Sequence, residues 1–211
     1  MTMQAAALDQ IVDDSLPLDS QDPDEELMLR YARGDGRAFE ILFHRHQRRV
    51  YGFIWRFTGV GWQADDVFQE VFLRVIRNRK GYRLRSAKFT TWLYTITRSV
   101  CIDAIRKQKR RAICTSFQDS EETERAVSLL ETVQETQRDE VYEKEVSAAV
   151  EQLVLRLPQE QREVLLLRER LNLPFQEIAR ITGCRIGTVK SRMRYALQAL
   201  RRGLVAEGLV Q

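Results

Sequence analysis

Residues 174–200 read PFQEIARITGCRIGTVKSRMRYALQAL, and this stretch decides how the chain is built. Ile178 and Ile181 share one face of a helix, with Ala179 small where a second helix must cross close by. Gly183 follows and supplies the positive φ that a tight turn between helices needs. Beyond the turn, Val189, Met193, Ala196, Leu197 and Leu200 recur at helical spacing and predict one apolar stripe. Gly187, Ser191, Arg194, Tyr195 and Gln198 project away from it, with Lys190 and Arg192 on its flanks. A polar reading face between phosphate-seeking cations predicts a helix-turn-helix whose second helix enters a DNA groove. Such hairpins serve repressors, activators and polymerase subunits alike, so the motif leaves the type of DNA-binding protein open.

Charge divides the 211-residue chain into blocks beneath a formal total of only +4. Residues 1–29 hold eight Asp or Glu and no Lys or Arg, whereas residues 30–114 hold 20 basic against 6 acidic side chains. Residues 115–145 reverse this, with 3 basic and 10 acidic, and residues 146–211 carry 11 basic and 6 acidic. Two basic blocks, each preceded by an acidic one, predict two nucleic-acid-binding modules and a linker that duplex phosphate repels. The 44% apolar content suffices for globular cores. No apolar run approaches the ~20 residues of a membrane span, and the N-terminus is acidic where a secretory signal is basic. A soluble cytoplasmic protein without direct membrane insertion is expected. Cys101, Cys114 and Cys184 are isolated and odd in number, which points to neither a disulfide framework nor a zinc site. A thiol redox role is left open. His44 and His46 lie two apart on a helical stretch and face different ways, a poor metal pair. No catalytic constellation, metal site or cofactor is expected.

Residues 25–111 show helical periodicity and no strand-like alternation, with breaks near residues 34–36, 59–61 and 81. Phe39, Leu42, Phe43, Val50, Phe53, Ile54 and Phe57 make a wide apolar stripe for the core of a helical bundle. Residues 65–76 carry two apolar rows, one of Val67, Val71 and Val75 and one of Phe68 and Phe72, interrupted by Asp66, Gln69 and Glu70. The surplus apolar surface predicts docking on another protein; burial on two sides within its own domain is the alternative. Residues 77–88, RNRKGYRLRSAK, are dense in Lys and Arg. After them Phe89, Trp92, Leu93, Ile96 and Val100 supply a core face, and Arg98, Arg106, Lys107, Lys109, Arg110 and Arg111 leave a basic tail. Tyr82, Trp92 and Tyr94, interleaved with these cations, suit a nucleic-acid backbone and unstacked bases; a solvated charged surface is the plainer alternative.

Three strings in order carry a resemblance: DDVFQEVFLRV at residues 65–75, FTTWLYTITRSVCIDAIRK at residues 89–107, and LPQEQREVLLLRERLNLPFQEIARITGCRIGTVKSRM at residues 157–193. Together they resemble a bacterial RNA polymerase sigma factor of the extracytoplasmic-function class, leaving out the acidic ends and linker. The resemblance implies an all-α fold of two small helical domains, a region 2 bundle and a region 4 helix-turn-helix domain, joined by a flexible acidic linker. The expected boundaries are an acidic disordered tail over 1–24, region 2 over 25–114, the linker over 115–145, region 4 over 146–205 and a C-terminal tail over 206–211. By the same resemblance, Asp66, Gln69, Glu70 and Phe72 dock on the clamp helices of the polymerase largest subunit. Arg83, Arg85, Lys88, Arg98, Ser99, Arg106 and Lys107 bind the minus-10 element as it melts, where a base captured out of the stack costs a few kcal/mol. Lys190, Ser191, Arg194 and Tyr195 take base-reading positions on the minus-35 element, and Arg185, Thr188 and Arg192 hold phosphates. Ser99 stands where the family often has Asn, and Tyr195 where it often has a basic residue.

The function so implied is that of a dissociable initiation subunit, with no catalytic site of its own. It binds core RNA polymerase, directs promoter-specific initiation, helps open the DNA and is held in check by an anti-sigma factor. Its two promoter elements lie about 25 base pairs apart, ~85 Å at ~3.4 Å per pair, and a 31-residue linker extends to ~100 Å. Within that linker Leu129, Leu130 and Val133 suit one short helical turn. The acidic tail suggests a mask over the basic surface, to be tested by deleting residues 1–24. Two alternatives stay open on residue pattern. A dimeric DNA-binding regulator needs a dimerization surface or ligand pocket in the N-terminal half. A nucleic-acid-processing enzyme needs a carboxylate cluster, for which Asp65, Asp66 and Glu70 are candidates, although Phe68 and Phe72 beside them suit docking better.

Overall fold

The computed structural model describes residues 21–59, 64–82, 87–115 and 138–209, whose regular structure is helical throughout. The first helix, α1 (Asp24–Arg33), follows Pro23, and Asp24, Glu25 and Glu26 place three acids at the positive end of its dipole. It stops at Gly34, whose φ of 116° few other residues tolerate. Asp35 then caps α2 (Gly36–Thr58), its Oδ1 accepting from the backbone N–H groups of Arg37 and Ala38 at 3.1 and 3.3 Å. α3 (Ala64–Asn78), a 3-10 turn (Arg79–Gly81) and α4 (Phe89–Thr115) complete an N-terminal bundle in which α2 packs on α1, α3 and α4. Leu42, Val50, Phe53, Ile54 and Phe57 of α2 are buried in one cluster with Val67, Val71 and Val75 of α3 and Phe89, Leu93 and Val100 of α4. Each such side chain contributes about 1.5–3 kcal/mol on leaving water.

The C-terminal half comprises α5 (Arg138–Arg156), α6 (Gln159–Glu169), α7 (Phe175–Thr182) and α8 (Ile186–Ala206). Pro158 and Pro174 precede α6 and α7, and their carbonyls accept the first intrahelical bonds, at 2.9 Å from Gln161 N and Glu177 N. Asn172 takes the left-handed conformation, φ 52°, in the turn between these two helices.

Two boundaries differ from the sequence reading. α5 begins at Arg138, inside the linker expected over 115–145, and α4 runs through Thr115. Net charge does not mark the start of α5, because acidic residues suit the first turn of a helix as well as an acidic tether. The rest of the linker, residues 116–137 with Leu129, Leu130 and Val133, lies outside the described residues, as do residues 1–20 of the acidic tail. The tail's end is tied down: Asp22 O accepts from Arg45 Nη1 at 2.7 Å, and Asp24 opens α1.

The two halves, expected as bundles on a tether, also pack against each other through α4 with α7 and α2 with α5 and α6. Arg56 Nε lies 3.0 Å from both Glu151 carboxylate oxygens, and Arg170 reaches the same carboxylate at 2.8 Å. Arg162 donates to the carbonyls of Arg56 and Phe57 at the end of α2, and to those of Leu155 in the last turn of α5 and Leu157 just beyond it. One guanidinium thus satisfies carbonyls at two helix C-termini. Among the described residues no helix is long and apolar enough to cross a membrane.

Candidate nucleic-acid interface

The hairpin of α7 and α8 has the geometry its sequence predicts. Ile178 and Ile181 are buried, Gly183 turns the chain at φ 68°, and Val189, Met193 and Ala196 pack inward. Leu197 departs from the expected stripe: it is 49% exposed, and Leu200 packs at the edge of the core instead. Gly187, Thr188, Lys190, Ser191, Arg194, Tyr195 and Gln198 are all exposed, so the positions expected to read bases share a free surface. Ser191 Oγ donates to Gly187 O at 3.0 Å, and the Arg194 guanidinium stacks 5.1 Å from the Tyr195 ring centre. That stacking holds a planar donor fork beside an aromatic face. Arg185 is exposed at the entry to α8, whereas Arg192 is half-buried, with Nη1 3.2 Å from Cys184 Sγ.

The second expected surface lies on α4. Ser99, Arg106 and Lys107 are exposed, together with Lys109, Arg110 and Arg111. Arg83 and Arg85 lie outside the described residues. Lys88 and Arg98 are present but engaged: Lys88 Nζ is 3.6 Å from Glu177 Oε1, and Arg98 Nε donates to Glu163 Oε1. Glu177 also accepts from Thr91 Oγ1 at 2.8 Å. Burial pushes the Glu163 carboxyl above its ordinary value, against the pull of Arg98 beside it.

The aromatic residues assigned to unstacked bases are a correction. Tyr82 and Tyr94 are 3% and 0% exposed, and Trp92 is half-buried, its ring 5.4 Å from Tyr82 and 6.1 Å from Phe89. They form core and edge of the bundle. A run of aromatics among cations reads alike whether it faces bases or interior, because residue type does not fix the helical face.

On α3, Asp66 and Gln69 are exposed, and Glu70 binds Arg74 at 2.8 Å. Arg74 continues to Asp103 at 3.3 Å and Ser99 Oγ at 3.5 Å, tying α3 to α4. Phe72 points inward at 8% exposure, its ring 4.7 Å from Phe43 and 4.9 Å from Phe68. The second apolar row is therefore largely satisfied within the bundle. Leu73, 44% exposed, is the apolar group that α3 offers outward.

His46 is buried with Nε2 2.7 Å from Asp24 Oδ2, and His44 is exposed, 3.1 Å from Gln47, so the two histidines do face different ways. Cys101 is buried, and burial pushes its thiol well up. The side chain of Cys114 lies outside the described residues. Sequence reasoning missed Thr91, Glu163 and Glu177. The legible signal was Glu163 adjoining Val164, Leu165, Leu166 and Leu167, an acid that must turn inward beside so apolar a run.

Comparison with known proteins agrees with this architecture. Residues 42–111 match the family model for Sigma-70 region 2, and residues 147–200 match that for Sigma-70, region 4. The RNA polymerase sigma-H factor of Pseudomonas aeruginosa is 34% identical over 190 residues, covering 88% of this chain and 95% of that protein. The ECF RNA polymerase sigma factor SigW of Bacillus subtilis is 31% identical over 172 residues, covering 82% and 91%. The fold also matches the sigma factor RpoE in complex with the anti-sigma factor NepR from Bartonella quintana, at 19% identity and a TM-score of 0.64 over 80% of this chain and 97% of that one. Two helical modules in this order, the second ending in a helix-turn-helix, define a promoter-recognition subunit. The chain belongs to the sigma-70 family of RNA polymerase sigma factors, in its extracytoplasmic-function class.

Proposed function

We propose that the chain directs core RNA polymerase to promoters by placing α8 in the major groove of the minus-35 element and α4 on the minus-10 element as it opens. The observation that carries this is the exposed face of α8, where Lys190, Ser191, Arg194 and Tyr195 stand clear of the buried Val189, Met193 and Ala196. Arg185 and Thr188 fix the register on phosphate, and the exposed Arg106 and Lys107 serve the same end on α4. Asp66, Gln69 and Leu73 form the α3 surface that meets the polymerase clamp helices. Phe72 supports that surface from beneath by packing on Phe43. Nucleotide chemistry stays with the core enzyme. The solved RpoE relative is held by an anti-sigma factor, and an inhibitor of that kind belongs to this proposal.

Holding both elements places the two DNA-facing surfaces ~85 Å apart, at ~3.4 Å per base pair. Arg185, at the start of α8, lies eight positions after Glu177, which is beside Lys88, at most ~30 Å of chain. The two halves therefore part on the promoter. Multi-round transcription of genomic fragments by bacterial core polymerase, with and without the protein, tests the proposal beside a gel shift of the protein alone. Defined transcripts that require both components are expected. Tight specific binding by the free chain without core-dependent initiation overturns it in favour of a self-sufficient DNA-binding regulator.

A further inference from the structure

We infer that the seam between the two halves holds a binding site for a small organic carboxylate of benzoate's size. The site is a cavity of about 250 Å³ whose walls come from both halves. Region 2 contributes Arg49, Lys88 and Tyr94, and region 4 contributes Leu171, Leu173 and Pro174. An apolar cavity of ~150 Å³ takes up benzene, so this one has room for a ring of that size and a charged group besides. Cations and hydroxyls come from region 2 and the aliphatic groups from region 4, a division that suits a molecule charged at one end and apolar at the other. Arg49 and Tyr94 carry the site, and neither is expected to touch DNA.

Charge and hydrogen bonding set the sign of the ligand. Two carboxylates line the cavity and both are taken. Asp24 accepts from Arg45 Nη1 at 2.6 Å and lies 2.7 Å from His46 Nε2, while Glu177 accepts from Thr91 Oγ1 and faces Lys88. Arg49, exposed at the cavity, has no carboxylate partner among the described residues. Pairing these groups off leaves one positive charge unanswered, so the ligand that completes the site is an anion. Tyr94 is 0% exposed, and its hydroxyl has no hydrogen-bond partner among the described residues. Buried hydroxyls nearly always have a partner, so this one calls for a group from outside the chain. The phenol stays protonated because burial pushes its pKa well up, and the Arg49 charge acts on it in the opposite sense, so the two are neighbours. A carboxylate answers both: it accepts from the Tyr94 O–H and takes the charge-assisted bonds of the guanidinium. Leu173, 6% exposed, and Leu171 then cover the apolar end. Inorganic phosphate would satisfy the cation and leave these leucines without a partner, which favours an organic acid.

Titration of the full-length protein with benzoate, followed by heteronuclear NMR, tests the inference. Saturable binding with a Kd at or below about 1 mM is expected, with nuclear Overhauser contacts from the ring protons to the methyls of Leu171 and Leu173. Benzamide, which keeps the shape and loses the charge, is expected to bind roughly tenfold more weakly, and inorganic phosphate to bind more weakly than benzoate as well. Arg49→Gln is expected to cost benzoate a similar factor. Tyr94→Phe separates binding from packing. Removing an unpartnered hydroxyl leaves the unliganded protein no less stable, while benzoate affinity falls several-fold. A lower melting temperature with unchanged benzoate affinity makes the hydroxyl a structural group and overturns the site. Absence of saturable binding in the millimolar range overturns it too, as do equal binding of benzamide and ring contacts to protons elsewhere on the chain. Phosphate that competes at equal strength overturns the organic acid in favour of an inorganic oxyanion. The comparison of ligands uses unaltered protein and stands whether or not a variant folds. No polymerase or DNA enters it, so its failure leaves the sigma assignment untouched.

Discussion

Arg194 and Arg185 differ in what they are placed to touch. Arg194 projects from the reading face with Tyr195 against it, whereas Arg185 sits at the entry to α8. Arg194→Ala is expected to cost about 1–3 kcal/mol of minus-35 affinity and to relax base preference locally, while Arg185→Ala weakens all sequences alike. Holoenzyme competition across a library of minus-35 duplexes checks both; a uniform loss for Arg194→Ala makes it a phosphate contact. Asp24 carries a prediction about stability. Burial alone would raise its carboxyl, but the bonds and charges of His46 and Arg45 outweigh that and hold it below its ordinary value of 3.8. A carboxyl lowered in the folded state contributes stability above its unfolded pKa and loses it as pH falls through the folded one. Asp24→Asn should therefore lower the unfolding free energy by about 1–3 kcal/mol at neutral pH and approach the parent chain at pH below the usual carboxylate range. Urea titrations across pH test this, and a gap that persists in acid assigns the loss to packing instead.

At the scale of elements, two glycines answer differently to a methyl group. At Gly183 nothing lies within 4 Å of an added Cβ, but the left-handed φ of 68° remains. Gly183→Ala is expected to cost about 1–2 kcal/mol through backbone strain alone. Gly203 is helical, yet its Cβ would stand 2.4 Å from Leu153 Cδ2 and 2.9 Å from Cδ1. Gly203→Ala forces the Leu153 side chain to shift against α8, at about 1–3 kcal/mol. Thermal unfolding measures both, and Leu153→Ala in the Gly203→Ala background should recover part of the second loss and none of the first. The turn glycine was legible in sequence because φ is a local property. Gly203 was not, since its constraint comes from a helix that begins 65 residues earlier.

At the scale of the whole molecule, the seam sets how far apart the two DNA surfaces stand. Glu151 binds both Arg56 and Arg170 and touches no residue expected on DNA. Glu151→Gln is expected to raise the radius of gyration of the free chain in solution scattering without lowering core-dependent transcription. An unchanged radius indicates that the other seam contacts suffice to hold the halves together.

Periodicity and turn residues determined the helical class and the helix-turn-helix, and three motif strings carried the resemblance to the family, because each is a property of residues close together in sequence. Inward Val189 and Met193 with outward Lys190 and Arg194 need only the helical repeat. Tertiary structure alone decided which aromatics face the interior and which cations are free. Tyr94 is buried because α2 brings Phe53 to within 5.4 Å of its ring, and Arg98 is engaged because α6 presents Glu163 from 65 residues away. Burial and ion pairing are properties of what packs opposite a residue, and the residue's own neighbours in sequence do not encode that.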